Sequence, residues 1–109
     1  MQKVSIEALA RQQLERAASS GRNAADTVVG GHERILRQTV VGMTAGSQMS
    51  EHENPGEATI YVLKGAVRMT ADEQQWDGRT GDLLLIPDSR HSLLALEDAA
   101  ILLTVAKRP

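Results

Sequence analysis

At 109 residues the chain has the length of one domain, able to bury roughly 65% of its unfolded surface around a single core. It contains no cysteine, which excludes a disulfide scaffold, a cysteine-ligated zinc site, an iron–sulfur centre and a thiol nucleophile. Twelve basic and fourteen acidic side chains leave a net charge of −2, without the basic surplus that a nucleic-acid partner calls for.

Residues 1–14 carry Lys3, Glu7 and Arg11 and lack the apolar segment of a signal peptide. The strongly apolar runs, residues 83–87 and 99–106, fall well short of the ~20 residues that a membrane helix needs. A cytoplasmic domain with no membrane contact is the expectation. Residues 5–18 contain neither Gly nor Pro, and Ile6, Leu9, Ala10, Leu14 and Ala17 recur along one stripe of a helix. Ser5 can cap its N-terminus, with Glu7 beside the positive end of the dipole. Ser19, Ser20 and Gly21 supply the stop, Gly21 suiting a left-handed cap. Residues 1–26 are read as this helix with its linker, and 27–109 as a β-domain.

From about Thr27 the apolar period shortens to two. Strands are predicted at residues 35–43, 59–63, 66–70, 83–86, 92–96 and 101–105. Turn signals divide them: Gly30-Gly31, Ala45-Gly46, Asn54-Pro55-Gly56, Lys64-Gly65, Asp77-Gly78, Gly81-Asp82 and Pro87-Asp88. Short strands at this spacing, with no helices between them, indicate an all-β sandwich or barrel rather than a parallel α/β sheet. Tyr61 and Trp76 are the only aromatic residues, too few for a stacking platform. The core must come from Val, Leu, Ile, Met and Ala, with Met43, Met49 and Met69 as adaptable filler.

Two stretches are organised around histidine: GSQMSEHENPGEATIYVLKG at residues 46–65 and GDLLLIPDSRHSLLA at residues 81–95. Gly46, His52, Gly65, Gly81, Pro87 and His91 form a glycine, proline and histidine framework that resembles the two-motif signature of the cupin superfamily, over residues 35–105. The resemblance implies a double-stranded β-helix, a jelly-roll barrel of antiparallel strands, preceded here by one short α-helix. It also implies that the histidines stand near the barrel mouth. Alternation puts Ala58, Ile60 and Val62 on one face of their strand and Thr59, Tyr61 and Leu63 on the other; the resemblance makes the first set inward-facing.

Metal-binding cupins offer three histidines and one glutamate, a set suited to Fe, Mn, Zn or Ni. In this sequence the first histidine is His52 and the second position is Asn54. The glutamate position is Ala58; Glu57 is adjacent, but one step along a strand reverses the face. The last histidine is His91, one residue nearer to Pro87 than the pattern asks, and the closing asparagine is replaced by Ala95. Two imidazoles and an amide make a poor site, because zinc takes three or four protein ligands.

Three readings of the histidine pair stay open: a weak divalent metal site on His52 and His91, assisted by Asn54, Glu57 or Glu51; a metal-free polar site for a small molecule, with acid–base capacity near neutral pH; or hydrogen-bonded relics in a scaffold. A small-molecule sensor or accessory protein is the leading expectation, with His52, Asn54, Ala58, Ile60, Val62 and His91 lining its pocket. The alternative is a small metal-dependent dioxygenase, isomerase or decarboxylase using His52 and His91. His32 is read as a surface loop residue, Glu51, Glu53 and Glu57 as a solvated acidic rim, and Arg90 as a solvated arginine. A homodimer is expected, since the helical stripe must bury itself on its own barrel or on a neighbour's.

Overall fold

The computed structural model describes residues 2–52 and 56–107, with the backbone alone at residues 50–52. The helix α1 spans Ile6–Ser20, where the stripe predicts it. The Ser5 hydroxyl accepts the Ala8 N–H at 3.2 Å, and Gly21 closes the helix with φ +70° while its N–H reaches the Ala17 carbonyl. Nine strands follow among the described residues: β1 (Ala24–Val29), β2 (Leu36–Met43), β3 (Gln48–His52), β4 (Gly56–Lys64), β5 (Ala66–Ala71), β6 (Gln74–Arg79), β7 (Leu83–Leu85), β8 (His91–Ala95) and β9 (Ala99–Lys107).

These strands form two antiparallel sheets, one in the order β1-β2-β9-β4-β7 and one in the order β3-β8-β5-β6. Their facing sides alternate as the pleat requires. Val41, Met43, Ile60, Val62, Ala99 and Ile101 of the first sheet meet Val67, Met69, Leu93 and Ala95 of the second. Ala58, Ile60 and Val62 all point inward, while Glu57 and Tyr61 point out. Met43 and Met69 are fully enclosed and Met49 packs partly against them. No helix among the described residues is long and apolar enough to cross a membrane.

Three strands escaped the sequence reading. β1 begins at Ala24, and β3 and β6 are short of β-branched residues. The largest correction concerns Asp77-Gly78, which lies within β6 and not in a turn. Asp77 stands opposite Arg68 on β5 and takes two hydrogen bonds from its guanidinium, at 2.7 and 3.1 Å. Gly78 packs closely there: a Cβ would lie 3.1 Å from the Leu84 side chain, which would have to give by a few tenths of an ångström. The actual hairpin turn is Asp72-Glu73, both with positive φ (51° and 64°), as a two-residue hairpin of the primed type demands.

The helix lies on the outside of the five-stranded sheet, chiefly across β2, with lesser contact to β1, β9 and β4. It buries Ala10, Gln13 and Ala17. Gln13 at the centre of the buried stripe was not expected. The reason is Gly42 on β2: a Cβ at that position would overlap the Gln13 backbone carbonyl, so the bare glycine lets the helix backbone settle directly on the strand. Gly65, between β4 and β5, adopts φ +89° and leaves room for the Asp98 carbonyl and Ala99 of the neighbouring chain reversal.

Candidate functional site

The ladder of the four-stranded sheet sets the site. In register, His52 of β3 stands opposite His91 of β8, His91 opposite Ala71 of β5, and Ala71 opposite Gln74 of β6. One row across the sheet therefore carries both motif histidines. The row beneath it runs Met49, Leu93, Met69, Trp76, an apolar floor that grades into the core. An irregularity between Met49 and His52 shifts the β3 ladder just before the row that pairs His52 with His91 in register.

His91 is buried at the first residue of β8. Its Nδ1 lies 3.0 Å from the Ser89 carbonyl oxygen. A carbonyl only accepts, so Nδ1 carries the hydrogen, and in the neutral ring Nε2 carries the lone pair. Ser89 is fixed in turn by its hydroxyl, which donates to Asp72 Oδ2 at 2.7 Å. The β5–β6 turn and the segment leading to His91 thus form one hydrogen-bonded support. On the facing sheet, the Ile86 N–H donates to the Ala58 carbonyl at 3.0 Å, which ties the start of that segment to β4.

The singled-out residues separate into groups. Ala58 faces inward at the start of β4 and brings no donor atom; Glu57 is exposed on the opposite face. Ile60 and Val62 are packed into the core. Asn54 and Glu53 lie outside the described residues, as do the side chains of His52 and Glu51. His32 is exposed in the β1–β2 connection and Arg90 is exposed beside His91. Among the described residues no three His, Asp or Glu side chains come together as a metal site. His91 itself has the orientation of a ligand, a carbonyl-anchored Nδ1 with Nε2 as donor. The positions around it that the structure describes do not complete a carboxylate–imidazole set.

A feature of the other sheet left no signal in the motifs. A cleft of about 860 Å³ opens on the outside of the five-stranded sheet, lined by Ile35, Glu57, Thr59, Leu85, Thr104 and Lys107 among others. Outward residues of adjacent strands, read along the register, predict such a surface only once the strand order is known.

The family model described as a cupin domain matches residues 39–106. Among solved structures, a conserved protein of unknown function from Streptococcus pyogenes is 27% identical, with a TM-score of 0.74 over 81% of this chain and 76% of that one. A cupin superfamily protein from Desulfitobacterium hafniense DCB-2 shares 19% identity at a TM-score of 0.73, over 80% of this chain and 79% of its own. KdgF from Halomonas sp. is 23% identical with a TM-score of 0.65, covering 79% and 80%. No curated protein sequence matches.

Proposed function

This chain belongs to the cupin domain family, and from that premise we propose that it binds a small molecule at the barrel end marked by His52 and His91, as a sensor or accessory protein without a tightly held metal. The observation that carries the reading is the cross-strand pairing of the two histidines above an apolar floor of Met49, Leu93, Met69 and Trp76. Such a row sets two imidazole-bearing positions beside an apolar wall, the usual chemistry of a small-ligand pocket. Ala58 inside and Glu57 outside favour binding over metal catalysis, since a carboxylate is the natural charge-balancing ligand for Fe, Mn, Zn or Ni in a histidine site.

Equilibrium dialysis against Zn, Ni, Mn and Fe(II), followed by elemental analysis, tests the reading. Sub-stoichiometric, easily exchanged metal is expected. A tight one-to-one metal overturns it.

A second reading rests on the His91 tautomer. A buried imidazole whose Nδ1 is held by a carbonyl presents Nε2 as a base of defined direction, which an enzyme of the isomerase, decarboxylase or dioxygenase type would use. In that case His52→Ala and His91→Ala each abolish turnover of the substrate while the melting temperature stays within a few degrees. Equal loss of folding in both variants assigns the histidines to structure.

A further inference from the structure

Four short connections, residues 44–47, 65, 80–82 and 96–98, pass between the two sheets at one end of the barrel. Backbone bonds stitch them together: the Gly46 N–H meets the Ala95 carbonyl at 2.8 Å, and the Leu96 N–H meets the Ala66 carbonyl at 2.9 Å. The mouth is therefore the opposite end, where His52 and His91 pair. There the inner row of the five-stranded sheet runs Ile86, Ala58, Val105, Arg37. Arg37 continues the alternation of Met43, Val41 and Thr39 along β2. Because β2 leads directly into β3, Arg37 stands on the flank of the mouth that also holds the end of β3. Among the described residues five strands face four, which leaves β1 without a strand opposite it. The inner face is accordingly open on this flank: Arg37 and Thr27 are exposed, and Thr39, Leu103 and Met49 are half-buried.

We propose that Arg37 is the anion anchor of the small-molecule site, taking the carboxylate of a compact organic acid whose apolar body lies against Leu103 and Met49. This rests on the reading of the histidine end as that site, and adds the chemical class of the ligand. Three observations favour it. The first is charge. Among the described residues of the two mouth rows Arg37 alone carries a permanent charge, and no described carboxylate pairs with it. The nearby acids are engaged or turned away, Asp72 by the Ser89 hydroxyl and Glu57 by facing outside. The second is the donor set. Thr27 and Thr39 stand opposite each other in register beside Arg37, with their hydroxyl oxygens 3.0 Å apart. One hydroxyl hydrogen makes that bond and the other is left to donate. A Cβ on Gly30 would lie 3.0 Å from the Thr27 methyl carbon and 3.8 Å from Arg37 Cγ, so the bare glycine lets the arginine stem lie close to the threonine pair. The third is the number of cations. Lys107, one step farther out on β9, spends its ammonium on the Gly31 carbonyl at 3.0 Å. A single guanidinium fork with one hydroxyl fits the two oxygens of a carboxylate, whereas a phosphate dianion calls for a second cation.

Protein-observed NMR on the full chain at pH 7 tests this with two isosteric pairs of probes, benzoate with benzamide and butyrate with butyramide. At least one acid is expected to bind with a Kd of about 1 mM or tighter, the reach of so small a ligand, and to shift the amide signals of Thr39, Leu103 and Met49. Its amide binds at least about 10-fold more weakly, having no charge to offer the guanidinium. Arg37→Gln weakens the acid about 30-fold, the effect of losing a charge-assisted pair of hydrogen bonds, and changes the amide by less than about twofold. Arg37→Lys, which keeps the charge and loses the fork, falls between the two. Arg37 is exposed at the start of its strand, so both variants keep the wild-type melting temperature. Arg79→Gln, the same charge change beside the closed end, leaves binding intact. Acid binding that survives Arg37→Gln overturns the proposal, as does an amide that binds as tightly as its acid; in either case the small-molecule reading itself stands. If none of the four probes binds, both fall together.

Discussion

The carbonyl oxygen of Ser89 accepts the Nδ1 hydrogen of His91 at 3.0 Å, while the hydroxyl of the same serine reaches Asp72 at 2.7 Å. Two residues of one short segment thereby connect a hairpin turn to the imidazole of the site. The nitrogen-15 spectrum of the neutral His91 ring shows the Nδ1–H form in the wild type. Asp72→Ala frees the Ser89 hydroxyl, mixes the two tautomers and lowers stability by about 1 kcal/mol. A wild-type ring protonated at Nε2 refutes the arrangement.

Gly42→Ala drives a methyl group into the Gln13 backbone. The obstruction is main chain and cannot rotate away, so the helix must lift off β2. A loss of about 2–3 kcal/mol is expected, read as a lower urea midpoint with unchanged slope.

Gln13 is fully buried, and its Nε2 has no hydrogen-bond partner among the described residues, although its Oε1 accepts from Arg16 at 3.3 Å. Gln13→Met keeps the length of the side chain and removes the stranded donor. Stability rises by about 1 kcal/mol; a fall would mean that the amide is satisfied in solution.

Glu73 holds φ +64° in the Asp72-Glu73 turn, a conformation that costs a residue with a Cβ of order 1 kcal/mol and glycine almost nothing. Glu73→Gly, which leaves Asp72 in contact with Ser89, raises the thermal midpoint. The more flexible unfolded chain offsets part of the gain.

The Arg68 guanidinium holds the Asp77 carboxyl below its ordinary value, chiefly through its hydrogen bonds and further through its charge. A carboxyl that binds its proton less readily when folded stabilises the fold above its unfolded value near pH 4. That contribution disappears as pH falls through the folded value. The melting-temperature advantage of wild type over Asp77→Asn is therefore present at pH 7 and vanishes in acid. The pair is half-exposed, so the advantage also shrinks in 1 M salt.

How far the sequence spoke varies along the chain. Helix α1 was legible to within two residues because its cap, stripe and stop act locally. β4 was legible because Ala58, Ile60 and Val62 alternate cleanly with polar neighbours. β6 was not: Asp77 and Gly78 spell a turn in isolation, and only Arg68 across the ladder and Leu84 from the other sheet make them strand residues. Gln13 was missed for a similar reason, since a polar residue joins a buried stripe only when a distant glycine admits the helix. At the site, spacing brought His52 and His91 together on paper and the register pairs them. The supporting contacts through Ser89 and Asp72 join residues 17 apart and left no pattern to read. Asn54 falls outside the described residues.

Strand β9 lies between β2 and β4, although it is the last strand among the described residues. Residues 99–107 thus supply the middle rung on which earlier strands hang, and most long-range pairing of that sheet waits for them. During synthesis β2 and β4 cannot reach their shared partner until this segment clears the ribosome, and each waits with one edge open. A premature stop anywhere before residue 99 therefore yields not a slightly shortened barrel but a polypeptide that chaperones and proteases must handle.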